Sequence, residues 1–159
     1  MLIRRAEITD IPDILRLLVQ VCEVHAGIRP DIFKRGGLKY TEADIPQILS
    51  DESRPVWCAV EGNRFLGYCF CQWKEYRDST VSTNRKELYI DDLCVEETAR
   101  GQGVATALFR YVTEIAKTEE ADFVTLNVWH GNSAVNFYEK MGMKPRKTVM
   151  DLPLKEILC

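Results

Sequence analysis

A strand that turns into a helix through two glycines sets the strongest limit on how this chain can fold. From Tyr89 to Ala105 it reads Tyr-Ile-Asp-Asp-Leu-Cys-Val-Glu-Glu-Thr-Ala-Arg-Gly-Gln-Gly-Val-Ala. Leu88 to Val95 reads as a buried strand, and Gln102 to Lys117 as a helix with Val104, Leu108, Val112 and Ile115 on one face. Between Val95 and Val104 no apolar side chain is larger than alanine. Gly101 and Gly103 remove side chains at the turn, so several backbone N–H groups can converge on a small anion at the positive end of the helix dipole. A phosphate or pyrophosphate fits that description. So does the plainer reading, in which the glycines only permit a tight turn.

Spacing removes two anion-binding alternatives. A P-loop ends in Gly-Lys-Ser/Thr, where this loop has Gly103-Val104-Ala105. A dinucleotide fingerprint needs a third glycine where Thr106 stands, and a repeated βαβ series that the rest of the chain does not show.

The remaining elements come from periodicity. Leu2 to Ala6 is a short strand; Thr9 or Asp10 caps a helix with Pro12 in its first turn, and Ile11, Ile14, Leu15, Leu18, Val21 and Cys22 form its apolar face to about His25 and Gly27. Residues 28–40 form a loop, and Thr41 with Asp44 resembles a capping box ahead of a short helix at Ile45 to Leu49, where Pro46 is the discordant residue. Val56 to Val60 and Phe65 to Trp73 make a hairpin, with Phe65, Cys69, Cys71 and Trp73 on one face and Leu66, Tyr68 and Phe70 on the other. Both faces are apolar, so this strand is central. Lys74 to Lys86 is polar and is expected to be an exposed, mobile connection. After the long helix come a strand at Phe123 to Val128, a short helix at Ser133 to Met141 closed by Gly142, and a last strand at Val149 to Leu154. Strands and helices mix in one sheet with helices on both faces, an α+β architecture.

At 159 residues and 46% hydrophobic composition, the chain supports one core, so 1–159 is expected to be a single domain. A net charge of -3 gives no footprint for nucleic acid. The N-terminus has no signal-peptide run and no segment could span a bilayer, so a cytoplasmic protein with no membrane partner is expected. The six cysteines (Cys22, Cys58, Cys69, Cys71, Cys94 and Cys159) form no Cys-x-x-Cys pair and read as reduced core residues. Two histidines without ligand spacing give no metal site, and Cys94 with His25 or His130 lacks a third orienting group for nucleophilic catalysis.

Arg100-Gly101-Gln102-Gly103-Val104-Ala105 resembles the Arg/Gln-x-x-Gly-x-Gly/Ala motif of the GNAT superfamily of acyl-CoA-dependent N-acetyltransferases. Val95 ends the preceding strand at the family's spacing, and Asn132 to Gly142 is similar to its Asn-x-x-Ala-x-x-Phe-Tyr-x-x-x-Gly segment. Asn132-Ser133-Ala134 is one residue short of that pattern, so either Gly131 or Asn132 takes the asparagine position, and Asn132 also reads as a helix cap. The resemblance implies a mixed, mostly antiparallel central sheet. It implies that Arg100 to Ala105 bind the pyrophosphate of acetyl-CoA, that Leu93, Cys94 and Val95 pair through their backbone with its pantetheine arm, and that Asn132 contacts the same cosubstrate.

It further implies Tyr138 as the acid that protonates the departing thiolate. An amine must lose a proton before it attacks a thioester, so a nearby carboxylate is useful. By strand alternation Asp91 shares a face with Tyr89 and Leu93, and Asp92 with Ile90 and Cys94. Asp91 resembles the acidic residue of the polyamine acetyltransferase branch, which Trp129 and Asn136-Phe137-Tyr138 also resemble, and it is the expected base or amine-binding group. The expected acceptor is a small amine or polyamine, with a protein N-terminus or lysine as the alternative. A coenzyme-A-binding module without transferase activity is the reading from another class, and a homodimer is an open possibility for the assembly.

Overall fold

The computed structural model describes residues 1–155, so Cys159 lies outside the described residues. One sheet has five strands in the order β1-β2-β3-β4-β5. They are β1 (Leu2–Arg5), β2 (Val56–Glu61), β3 (Arg64–Tyr76), β4 (Arg85–Val95) and β5 (Phe123–Leu126). Successive pairs are antiparallel except the last, β4–β5, which is parallel. A parallel pair requires a crossover, and helix α3 (Val104–Thr118) supplies it. The expected mixed, mostly antiparallel sheet is therefore present.

Each face of the sheet has its own apolar cluster. Helices α1 (Ile11–Ile28) and α2 (Ile45–Ser50) bury Ile14, Leu17, Leu18, Ile45 and Ile48 against Val56, Cys58, Tyr68 and Phe70. On the opposite face α3 packs Val104, Leu108, Phe109 and Val112 on Cys69, Cys71, Leu88 and Ile90. Helix α4 (Ala134–Lys140) adds Phe137 and Tyr138 to that second cluster. Strand β3 is buried on both faces, as its sequence requires.

Local chemistry sets the helix starts. Asp10, buried ahead of α1, accepts two hydrogen bonds from Arg4 at 2.7 and 2.9 Å and one from the Glu7 amide at 2.8 Å, tying β1 to the helix entry. Asp44 accepts from the Thr41 amide at 2.8 Å and from the Thr41 hydroxyl at 2.7 Å. Because α2 begins only at Ile45, Pro46 falls in its first turn, where a missing N–H costs nothing.

Two bulges shift the faces expected from simple alternation. Ala59 pairs with Gly67 and Val60 with Phe65, which leaves Leu66 as an extra residue. Phe65 therefore joins Tyr68 and Phe70 under α1, while Leu66 joins Cys69 and Cys71 under α3, the reverse of the periodic reading. In the second bulge Phe70 pairs with Asp92 and Cys71 with Ile90, so Asp91 is the extra residue. Ile90 and Leu93 consequently pack on the same cluster, and Asp92 and Cys94 turn to the other. The expected grouping of Asp91 with Leu93 and of Asp92 with Ile90 is thus corrected.

Two further expectations fail. The connection at Lys74 to Lys86 is partly strand, since Lys74 pairs with Glu87 and Tyr76 with Arg85, and the loop shrinks to residues 77–84. No strand forms at Val149 to Leu154. That segment is without regular structure, with Val149 86% and Met150 90% exposed, because its alternating apolar residues meet no partner strand and Pro153 lacks an amide to donate.

The register of β3 and β4 depends on Gly67. A Cβ at this position would meet the Cys94 carbonyl oxygen at 2.6 Å and the Val95 Cα at 3.2 Å. Backbone cannot give way as a flexible side chain does, so Gly67→Ala is expected to cost about 1–3 kcal/mol of stability, the usual range for overpacking. Chemical denaturation of the purified variant measures this; a midpoint equal to that of the parent chain would show that β4 moves aside freely.

Candidate active site

The parallel pairing of β4 with β5 ends at Ile90 and Leu126. Strand β4 runs on to Val95, held on its other edge by β3. From Asp91 to Val95 the β4 edge that faced β5 therefore has no strand partner among the described residues, and the bulge at Asp91 stands at the point of divergence. Extended backbone with one free edge is a site that an amide-containing ligand can join as an added strand.

The open edge leads into the glycine turn. A cleft of about 330 Å³ is lined by Val95, Ala99, Arg100, Gly101, Gly103 and Val104 and closed by Phe137. Gly101 and Gly103 have φ of +75° and +80°, the left-handed region that side chains disfavour, and a Cβ at either would meet nothing within 4 Å. Glycine is needed there for backbone conformation, and the empty side keeps the turn accessible. The Ala107 amide donates to Gly103 O at 2.9 Å in the first bond of α3. The amides of Val104, Ala105 and Thr106, in the first turn of α3, consequently have no acceptor four residues back, and all three residues line the cleft. Gln102 donates to Thr98 O at 3.0 Å and braces the turn.

Gln20, which periodicity did not mark, holds the end of β4. Its Nε2 donates to Val95 O at 2.9 Å and to Cys94 Sγ at 3.3 Å. Gln20 shares a helix face with Asp13, Arg16 and Glu23, so an amide there carried no signal in the sequence. Cys94 is buried with its thiol over Leu17 O, and burial, then the Asp92 charge, pushes it up to about 12. A thiolate nucleophile is unsuited to that environment, and no histidine is among its partners.

The bulge turns both carboxylates toward the α1 side, where they have different surroundings. Asp91 accepts the Tyr40 hydroxyl at 2.6 Å and pairs with Lys39 at 2.9 Å. Tyr40 in turn accepts from Arg54 at 3.1 Å, and its phenol is held above its ordinary value by burial and by the Asp91 carboxylate. Asp92 is buried, accepts the Tyr68 hydroxyl at 2.8 Å, and is raised to about 6 by burial, which outweighs that hydrogen bond. Lys39 and Tyr40 end the irregular loop from Arg29 to Tyr40, which its place beside the β4 strand marks as shaping the acceptor site, although no motif singles out either residue.

Tyr138 lies across the cleft on α4, its ring 5.2 Å from Phe137 and 6.3 Å from Phe109. Burial first, then the neighbouring Cys69, Asp92 and Cys94, raises its phenol above the ordinary value. Such a group stays protonated at neutral pH, as a proton donor must. Asn132 Oδ1 accepts the Ala134 amide at 2.9 Å, so this side chain caps the turn that leads into α4, whose N-cap position is Ser133. Of the sequence-predicted residues, Val95, Arg100, Gly101, Gly103, Val104 and Ala105 line the cleft, Leu93 and Cys94 lie on the open β4 edge that leads to it, and Asp91 stands at the bulge where that edge begins.

Comparison with known proteins agrees with this geometry. The model of the Acetyltransferase (GNAT) family matches residues 18–143. The chain belongs to the GNAT family. A mutant of the BH1408 protein from Bacillus halodurans has the same fold, with a TM-score of 0.93 at 30% identity, over 98% of this chain and 100% of that one. The fission yeast N-alpha-acetyltransferase 30 is 31% identical over 85 residues, 53% of each protein, so this chain spans about half the length of that relative. The bovine thialysine N-epsilon-acetyltransferase is 24% identical over 152 residues, 89% of this chain and 82% of that protein.

Asp92 leads to a stability prediction for this GNAT fold. Its carboxyl is raised to about 6 in the folded chain, so the native state binds the extra proton and stability falls as pH rises from about 4 to 6. A shift of about two pKa units corresponds to roughly 3 kcal/mol. Asp92→Asn, which can still accept from Tyr68, is expected to remove most of that decline. Denaturation curves at a series of pH values check this, and an unchanged slope would place the titration elsewhere.

Proposed function

We propose that this chain works as a single N-acetyltransferase domain that moves an acetyl group from acetyl-CoA to a primary amine by direct attack. The observation that carries this reading is the open β4 edge joining the glycine turn at Arg100 to Ala105 to a carboxylate at Asp91. The turn's amides and Arg100 would hold the pyrophosphate, and the backbone from Leu93 to Val95 would hold the pantetheine arm. Asn132 would contact the same cosubstrate through its amide nitrogen, its oxygen being engaged by the cap.

In this mechanism Asp91 binds the acceptor ammonium and takes its proton, and the free amine attacks the thioester carbonyl carbon. A backbone amide near Leu93 or Cys94 stabilises the oxyanion as the tetrahedral centre forms. The nitrogen loses its second proton to solvent, the C–S bond breaks and Tyr138 gives its proton to the sulfur, which its raised phenol can do because it is still protonated at neutral pH. No step in this route uses a metal.

A small amine or polyamine is the preferred acceptor. Support comes from the bovine relative, whose name specifies an N-epsilon amine and which aligns with most of this chain. A protein N-terminus is the second reading, favoured by the fission yeast relative named for N-alpha acetylation. Incubation of the protein with acetyl-CoA and a cell extract, followed by mass spectrometry of the acetylated products, separates the two. Coenzyme A binding with no thiol release from any amine would instead leave a binding module.

The proposed acid gives a sharper test. Tyr138→Phe is expected to lower kcat by at least about tenfold, within the usual contribution of general acid catalysis, with little change in melting temperature. Equal turnover in a thiol-release assay would remove Tyr138 from the mechanism. We also propose a homodimer, because β5 is an open sheet edge and Leu152 and Leu154 are exposed at 81% and 89%. Sedimentation is expected to give twice the chain mass, and a monomer at micromolar concentration would refute it.

A further inference from the structure

Lys39 stands where an acceptor amine would have to stand. Its Nζ donates to the Asp91 backbone oxygen at 2.7 Å and pairs with the Asp91 carboxylate at 2.9 Å. The same ammonium lies 5.7 Å from the Tyr40 ring centroid, and Tyr40 donates its hydroxyl to the same carboxylate oxygen at 2.6 Å. An acidic group, an aromatic face and a backbone carbonyl make a complete receptor for an alkylammonium ion. The chain fills that receptor with its own side chain, at the bulge where β4 leaves β5 and the free edge begins.

A salt bridge made only for stability would be a poor use of this position. Surface ion pairs contribute about 0–1 kcal/mol, and this one draws a flexible lysine from the loop before α2 across to the proposed catalytic strand. The Lys39 side chain keeps 39% of its surface exposed, so it is neither locked in the core nor shielded from an incoming thioester. It is also a primary amine, the nucleophile class on which the proposed reaction acts.

On the acetyl-CoA reading above, we propose that Lys39 is an internal acceptor, acetylated in cis by the chain that carries it. Asp91 takes one proton from the Lys39 ammonium, and the Nζ lone pair attacks the thioester carbonyl carbon. The N–C bond forms, the nitrogen loses its second proton to solvent, the C–S bond breaks, and the thiolate leaves with the Tyr138 proton; Asp91 releases its proton to solvent and Tyr138 regains one from solvent, a net release of one proton. The products are N-acetyl-Lys39 and free coenzyme A. The acetylated side chain has no charge to pair with Asp91, so the modification also frees the carboxylate for an external ammonium.

The experiment uses the full chain with isotopically labelled acetyl-CoA, followed by intact mass and peptide mapping, with thiol release from a panel of free amines measured on the same preparation. The expected result is one labelled acetyl group on Lys39, added at a rate independent of protein concentration. Lys39→Arg, which keeps the ion pair and folds as judged by its melting curve, is expected to abolish the label, and Tyr138→Phe to slow labelling at least about tenfold. An acetyl group already on Lys39 in the expressed chain counts for the proposal only if it is absent from Tyr138→Phe expressed alike. Thiol release from free amines with no label on Lys39 overturns the internal acceptor and leaves the proposed function standing. Label spread over other surface lysines, or undiminished in Tyr138→Phe, also overturns it by showing uncatalysed chemical acetylation. Neither label nor thiol release overturns both readings.

Discussion

The site depends on a parallel strand pair that stops early. Strands β4 and β5 share pairing only from Glu87 to Ile90, after which β4 continues for five residues against β3 alone. A sheet interior leaves no polar backbone free, whereas an edge does. By ending the pair inside the molecule, the fold makes an edge between two covered faces, next to the amino end of α3. Gly67 keeps that edge straight by allowing β3 to approach Cys94 and Val95, and Gln20 holds its end from the α1 side.

The bulge at Asp91 adds electrostatic asymmetry. Consecutive strand residues ordinarily point to opposite faces, which would give the two carboxylates unrelated environments. With Asp91 as an extra residue, both lie on the α1 side, one among cationic and phenolic groups near solvent and the other buried against Tyr68. Their proximity makes the region responsive to positive charge, and Lys39 provides it. The opposite wall, from Tyr138 to Phe137 and Phe109, is aromatic and lacks charge. In the proposed mechanism an acetyl group drawn between these walls would have a proton acceptor on one side and a proton donor on the other.

The strand, turn and helix from Leu88 to Lys117 were legible because they follow from short-range rules: apolar spacing, and glycine where φ is positive. The central burial of β3 was legible for the same reason. The faces of Phe65, Leu66, Asp91 and Asp92 were not, since a bulge is a property of two strands in register and leaves no mark in one strand's sequence. The segment at Val149 to Leu154 has the alternation of a strand, yet alternation supplies only side chains, and a strand also needs a neighbour. Lys39 and Tyr40 belong to the loop from Arg29 to Tyr40, whose place beside the strand was legible but whose lack of a motif hid which residues matter, and Gln20 reaches the site from the polar face of α1, where nothing set it apart.

The order of the strands bears on how the molecule comes together. Strands β2, β3 and β4 form a meander of hairpins, each closed by a short connection, whereas β5 joins β4 only after α3 has crossed the sheet. Local pairings close with less loss of chain entropy than distant ones, so the meander belongs to the early part of folding and β5 to the late part. The β4 side of the cleft is therefore assembled from neighbours in sequence, whereas Phe137, on its other side, comes from α4, which follows β5 in the chain. A chain that has folded its meander without seating β5 and α4 would have most of its secondary structure and an incomplete cleft, which makes ligand binding a stricter reporter of the native state than any measure of strand or helix content.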